Sequence, residues 1–371
     1  MLAGLGVVAL IVLWIVVANA ANDEPPSPTS ADPAPGLATT TPASTTRPPR
    51  PPATPLRRPE PEEIVNPVQV DPAIPELGLQ GTLVAWFASD LFTLDLATGH
   101  WNQLANDLGS AGNSASKSLF ATSSGVVAIS QTKVRSYAMD GTQLDAHEVG
   151  EGQVIFASAA GEIVWTVDFT FGDGFGELSA LRSNGEFAIE GSLDFSGPEG
   201  IARFAAGGDT LYASPLGGGI FVREDGTWER IQDGFLEAAN HHELLSYDCP
   251  ESFDICSLVR LETPSGRVVA HHQPPPGFAV GSHSRNWSPD LRYWVNHSDF
   301  RVWDVVAEAE VEVPFHPAPQ ALPGWSTDGS WLAAWADGQI NLLELVTGAH
   351  HVVDRPDDSF PVGPLFLYLP G

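Results

Sequence analysis

Ile340-Asn341-Leu342-Leu343-Glu344-Leu345-Val346-Thr347-Gly348-Ala349-His350-His351-Val352-Val353 reads as two short apolar strands joined by a tight turn. Thr347-Gly348 supplies the positive φ that a close hairpin needs, and the flanking aliphatic and β-branched residues suit a pleated sheet. The same unit recurs upstream. Residues 91–96 turn through Thr98-Gly99 into 100–104, 134–138 through Asp140-Gly141 into 142–149, and 177–181 through Asn184-Gly185 into 186–191. Residues 219–222 turn through Asp225-Gly226 into 227–231, and 256–261 through Ser265-Gly266 into 267–271.

From Gly99 the intervals to Gly141, Gly185, Gly226 and Gly266 are 42, 44, 41 and 40 residues, and from Gly266 to Gly348 the interval is 82, twice 41. Halfway along that last interval, Ala307-Glu308 lies between apolar residues 300–305 and 311–313, so one unit has a turn without its glycine. A period of about 40–45 residues in an all-β pattern is that of propeller blades. Each turn fits the link between the third and fourth strands, c and d, of a four-stranded blade. The spacing predicts an all-β, seven-bladed β-propeller over residues 76–371. The first blade has no good inner strand before residues 83–87, whereas Leu365-Phe366-Leu367-Tyr368-Leu369 is left over at the end. A short run that is apolar on both faces suits an innermost strand, so it is expected to complete the first blade and close the ring.

Trp325-Ser326-Thr327-Asp328-Gly329-Ser330-Trp331-Leu332-Ala333 resembles the Trp-Ser-x-Asp-Gly-x-x-Leu-Ala repeat of the TolB-type WD40-like propellers. Trp287-Ser288-Pro289-Asp290-Leu291-Arg292-Tyr293 is a weaker second copy, and the resemblance is confined to the last two blades. It implies a turn joining strands a and b, and a fold that mostly serves as a platform for partners.

Lys plus Arg number 17 against 46 Asp plus Glu, a net charge of −29. A polyanion partner needs a basic footprint, so nucleic acid and an anionic membrane surface are excluded as partners of the propeller. Residues 2–18 carry no charged side chain and would form roughly 26 Å of helix, barely enough to span a bilayer. Residues 1–21 are therefore read as a transmembrane anchor, with a cleaved signal peptide ending near Ala18-Asn19-Ala20 as the alternative. Residues 25–75 hold 16 of the 32 prolines and ten Ser or Thr, too little apolar surface to offset ordering. Residues 22–75 are accordingly expected to be a disordered stalk that holds the propeller on the outer side of the cytoplasmic membrane. A secreted protein is the alternative localisation.

Cys249 and Cys256 are the only cysteines and, in an oxidising compartment, are expected to form a hairpin disulfide across the b–c link of the fifth blade. The adjacent pairs His241-His242, His271-His272 and His350-His351 point to opposite faces of a strand, so no metal site is expected from them. No nucleophile elbow, HExxH or Gly-rich phosphate loop is present, and neither catalytic residues nor a cofactor is assigned. The b–c links read short in blades one, two, six and seven and longer in blades three to five, at residues 168–176, 214–218 and 249–256. Aromatic loops on a rigid scaffold are natural binding elements. Asp168, Phe169, Phe171, Asp173 and Phe175 are the binding candidates, Asp168 and Asp173 as cation ligands; the competing reading packs the phenylalanines between blades. The leading expectation is a non-catalytic, membrane-tethered platform for a protein or cell-envelope ligand. A secreted carbohydrate-active hydrolase or lyase with carboxylates at the central channel is one alternative, and the sensor domain of a truncated signalling protein another.

Overall fold

The computed structural model describes strands and most short links between Val68 and Tyr368; the main stretches outside the described residues are 1–67, 71–78, 109–117, 149–152, 158–162, 170–174, 183–186, 195–200, 250–255, 276–285, 318–321, 355–361 and 369–371. The expected N-terminal helix lies outside the described residues, as does most of the stalk. Among the described residues, no helix is long and apolar enough to cross a membrane.

The chain forms antiparallel sheets that follow one another in sequence. Sheet 1 contains Thr82–Phe87, Asp90–Asp95 and His100–Ala105; sheet 2 runs from Ser118–Thr122 to Gln143–Glu148, and sheet 3 from Gln153–Ala157 to Phe187–Asp194. Sheet 4 runs from Ile201–Gly207 to Thr227–Gln232, and sheet 5 from Phe235–Ala239 to Arg267–His272. Sheet 6 has three strands, Tyr293–Val295, Val302–Asp304 and Ala309–Val311, and sheet 7 runs from Gly324–Trp325 to His350–Val353. Six of the sheets have four or five strands in meander order and are blades of an all-β propeller.

Burial explains the arrangement, because each sheet is apolar on both faces and packs against two neighbours. Leu104 and Tyr137 belong to one cluster between sheets 1 and 2, Val134 and Val164 to another between sheets 2 and 3, and Leu178 and Leu211 to a third between sheets 3 and 4. Tyr212 and Leu244 join sheets 4 and 5, Leu258 and Trp294 join sheets 5 and 6, and Val302 and Leu343 join sheets 6 and 7. Trp101 and Trp331 then join sheet 7 back to sheet 1. The last strand sits on the inner side of sheet 1, where Val362–Tyr368 pairs antiparallel with Thr82–Phe87 in the register Leu83↔Leu367 and Ala85↔Leu365. It also neighbours Ser118–Thr122 and Gly324–Trp325, the inner strands on either side. The last described strand therefore completes the sheet that contains Thr82–Phe87.

One short strand lies upstream of the sheets' meander order. Val68–Val70 lies within the segment expected to be disordered, yet it pairs with His100–Ala105 as a fifth, outermost strand, Val68 opposite Gln103 and Val70 opposite Trp101. Two β-branched residues around a glutamine suit a sheet edge.

The turn that lacks a glycine keeps the glycine's backbone. Glu308 has φ of 51°, against 72° at Gly99, 66° at Gly266 and 75° at Gly348. The turn is held from its first residue: Asp304 Oδ1 accepts from the amides of Val306 and Ala307, both at 3.0 Å, as Asp95 Oδ1 accepts from Ala97 at 2.8 Å and Thr98 at 3.1 Å. Hydrogen-bonded Asx chemistry thus imposes the geometry even where a side chain makes it costly.

Candidate functional site

In a meander blade the b–c links share one end with the links between blades, and the a–b and c–d links share the other. The a–b end is structural. Ser326 Oγ donates to Asp328 Oδ1 at 2.6 Å and accepts from the Trp331 amide at 2.8 Å, while the Ser330 amide donates to Asp328 at 3.0 Å. Ser288, Asp290 and the Tyr293 amide repeat the arrangement in sheet 6, with Leu291 at φ 57° in the place of Gly329. A Cβ on Gly329 would lie 2.5 Å from Asp290 Oδ1, so the two turns pack directly on each other. Burial opposes ionisation at Asp328, but the bonds from Ser326 and Ser330 outweigh it and lower its pKa; at Asp290 burial prevails and the pKa is raised. The motif spends its polar groups on itself.

The other end carries the binding candidates. Asp168 and Phe169 finish strand b of sheet 3, Ile163–Phe169, and Phe175 begins strand c, Phe175–Arg182. Phe171 and Asp173 lie outside the described residues. This hairpin is the longest in the ring, with seven and eight residues against five or six in the corresponding strands of sheets 1, 2, 4, 5 and 7. Its ladder continues to Asp168↔Glu177 and Phe169↔Gly176. In that register Phe169 is opposite Gly176, the neighbour of Phe175.

The b–c link lengths also differ from the expectation. In sheet 6, Asn296 donates to the Arg301 carbonyl at 2.8 Å, so residues 297–300 form the link, as long as 216–219 in sheet 4. The contrast therefore rests on sheets 3 and 5. In sheet 5, Cys249 and Cys256 are joined with a Cα–Cα distance of 4.2 Å, closing residues 250–255 into a clipped loop.

Beside that loop lies a buried charged network that sequence reasoning missed. Glu237 sits at a bulge in the inner strand Phe235–Ala239, between Leu236, opposite Ser246, and Ala238, opposite Leu245. A bulge re-aims a side chain, and this one places a carboxylate of 0% exposure against the Arg203 guanidinium of sheet 4, itself 16% exposed. Trp287 Nε1 donates to Glu237 Oε1 at 3.1 Å, and Arg203 Nη1 also donates to the Leu236 carbonyl at 3.3 Å. The Arg203 guanidinium lies 5.9 Å from the Tyr247 ring centroid, and Tyr247 stacks on Phe235 at 5.2 Å. Burial raises the Tyr247 pKa, Arg203 lowers it and Glu237 raises it. Arg203 and Glu237 thus tie the inner strands of sheets 4 and 5 to Trp287, which precedes the first strand of sheet 6. The legible signal was Glu237 itself, a charge inside the apolar run Phe235-Leu236-Glu237-Ala238-Ala239.

Two histidine pairs, His271-His272 and His350-His351, are strand residues, whereas His241 and His242 lie in the a–b turn of sheet 5. His350 stacks on Phe315 at 5.4 Å and lies 2.9 Å from Asn341 Oδ1, while His351 lies 5.8 Å from the Trp331 ring. Burial, with His351 beside it, lowers the His350 pKa. Among the described residues, no group of three or more His, Cys, Asp or Glu side chains is placed to hold a metal ion.

No protein-family model matches the chain, and no curated protein matches it. Among solved structures it is similar to the dihydro-heme d1 dehydrogenase NirN in complex with DHE, at 12% identity over 81% of this chain and 79% of that one, with a TM-score of 0.45. It is also similar to BamB from Moraxella catarrhalis, at 13% identity over 66% and 86%, TM-score 0.33. TolB from Acinetobacter baumannii matches at 10% identity over 77% and 66%, TM-score 0.39. The propeller is read from the sheet order and the inter-sheet clusters above, and these likenesses add no site or activity to it.

Proposed function

We propose that the protein is a seven-bladed propeller that acts as a non-catalytic binding platform, held outside the cytoplasmic membrane by its N-terminal segment. Sheet 6 counts as the seventh blade because the bridge between Trp287 and Trp294 supplies a residue of its inner strand. The observation that carries the reading is the hairpin of sheet 3. Its strands exceed their counterparts by one to three residues, roughly 3–10 Å at about 3.3 Å per residue, and its b–c link lies at the end that also holds the disulfide of sheet 5. A rigid ring that extends selected loops from one end has the form of a recognition surface. The ligand is read as a protein or cell-envelope polymer, and the charge of −29 favours one that is not anionic.

The test is capture of partners from the native membrane by crosslinking, with the wild-type chain and with a Phe171→Ser/Phe175→Ser variant side by side. The platform reading expects a specific partner that the variant loses while remaining folded. Equal capture by the two proteins overturns the loop assignment, and a variant that retains every detectable interaction leaves sheet 3 without a role.

A further inference from the structure

The outer strand of sheet 6 carries a pattern that the fold does not use. From Glu308 to Val313 carboxylates alternate with small apolar residues: Glu308, Glu310 and Glu312 are exposed, whereas Val311 and Val313 are half-buried against the cluster joining sheets 6 and 7. Beside this strand runs an open groove of about 520 Å³, whose lining includes Phe300, Arg301, Glu310, Glu312, Val313 and His316. Arg301 is bidentate on Glu310 at 3.0 and 2.8 Å and lies 4.0 Å from Asp299. Glu308 and Glu312 make no ion pair among the described residues. Apolar surface and the Glu312 carboxylate thus share one groove, and Glu308 stands at the turn before the strand.

The strand's outer edge is also available. Among the described residues, no strand pairs beyond Ala309–Val311, whereas the outer edge of sheet 1 is filled by Val68–Val70, a short strand from outside its meander. The fold accepts a fifth strand at one outer edge and leaves an acidic one open at another.

We propose that this edge and its groove are a docking site for an extended peptide of a partner protein in which arginine or lysine alternates with small apolar residues. An added strand draws affinity from main-chain hydrogen bonds and specificity from alternate side chains. Directly opposed residues of paired strands share a face, so a cation lies against Glu310 and an apolar residue covers Val311, while Glu308 and Glu312 flank the strand at its two ends. The charge of the whole chain attracts any cationic peptide, whereas the alternation along residues 308–313 favours one with a matching pattern. The inference rests on the platform reading in assigning a protein partner, and its surface is separate from the sheet 3 hairpin.

Fluorescence anisotropy of a labelled Val-Arg-Val-Arg-Val-Arg peptide against the full chain tests it, with Val-Val-Val-Arg-Arg-Arg as the control of equal composition. The alternating peptide is expected to bind at least about tenfold more tightly than the control, and Glu308→Gln/Glu312→Gln, with an unchanged circular dichroism spectrum, is expected to abolish most of that preference. Equal affinity for the two peptides, an unaffected double variant, or no binding of the alternating peptide overturns the proposal. The Phe171→Ser/Phe175→Ser variant is expected to bind the peptide as the wild type does, so failure here and failure of the loop assignment are distinguishable.

Discussion

Glu308→Gly is expected to stabilise the protein although it removes a side chain. Glu308 occupies, at φ 51°, the left-handed position that glycine fills in the equivalent turns. For an L-residue that conformation costs about 1–2 kcal/mol, and the greater freedom of glycine in the unfolded chain takes back about 0.5–1 kcal/mol. The side chain is exposed, and the bond that its carboxylate accepts from the Gln273 amide is long, 3.4 Å, so little else is lost. The net gain is about 0.5–1 kcal/mol. Leu291→Gly is the control of opposite sign. Leu291 has φ of 57° and stands where sheet 7 has Gly329, but it is 2% exposed and packs with Tyr247, Leu258, Trp294 and Val305. Truncating a buried leucine costs about 2–5 kcal/mol, which exceeds the backbone relief, so a net loss of about 1–4 kcal/mol is expected. Urea denaturation followed by tryptophan fluorescence reads both as shifts of the midpoint at constant slope. A midpoint for Glu308→Gly below that of the wild type, or one for Leu291→Gly above it, refutes the reasoning.

Arg203→Met leaves the Glu237 carboxylate buried without its cation and is expected to lower stability by about 3–5 kcal/mol, of which Arg203→Met/Glu237→Gln recovers a substantial part; a loss under about 1 kcal/mol in the single variant contradicts the network. His272 and His350 have pKa values lowered by burial, with Arg260 adding to the effect at His272 and His351 at His350. The unfolded chain then binds more protons than the folded one below about pH 6.5, so stability is present above that pH and is lost as pH falls towards the lowered folded values. Urea midpoints measured between about pH 7.5 and pH 5 are expected to fall more steeply for the wild type than for His350→Gln, and equal slopes refute the assignment.

The propeller was legible because its signal is local and repeated. A glycine turn between apolar strands needs only neighbouring residues, and even the irregular unit was placed correctly by spacing, since Asp304 imposes at Glu308 the turn that Asp95 imposes at Gly99. Features that depend on distant partners were not legible. Val68–Val70 becomes a strand only because the outer edge of His100–Ala105 is open to it, and three residues among prolines carry no period of their own. Glu237 was visible as an odd charge, but the bulge that turns it to Arg203 and Trp287 depends on the pairing of Phe235–Ala239 with the next strand. The hairpin of sheet 3 reads as a long loop from residue 168 to residue 176, whereas its ladder runs on to Asp168↔Glu177 and Phe169↔Gly176. A one-residue difference in register reverses a face, and the turn that sets it is not encoded by spacing alone.

The platform account is tested most directly by placing a photo-crosslinking residue at position 171, in the sheet 3 link, or at position 226, in a c–d turn on the opposite end, and comparing adducts formed in the native cell. A discrete partner adduct from position 171 and none from position 226 is the expected result. Adducts from position 226 alone, or the same adducts from both, would contradict the claim that this end of the propeller is its recognition surface.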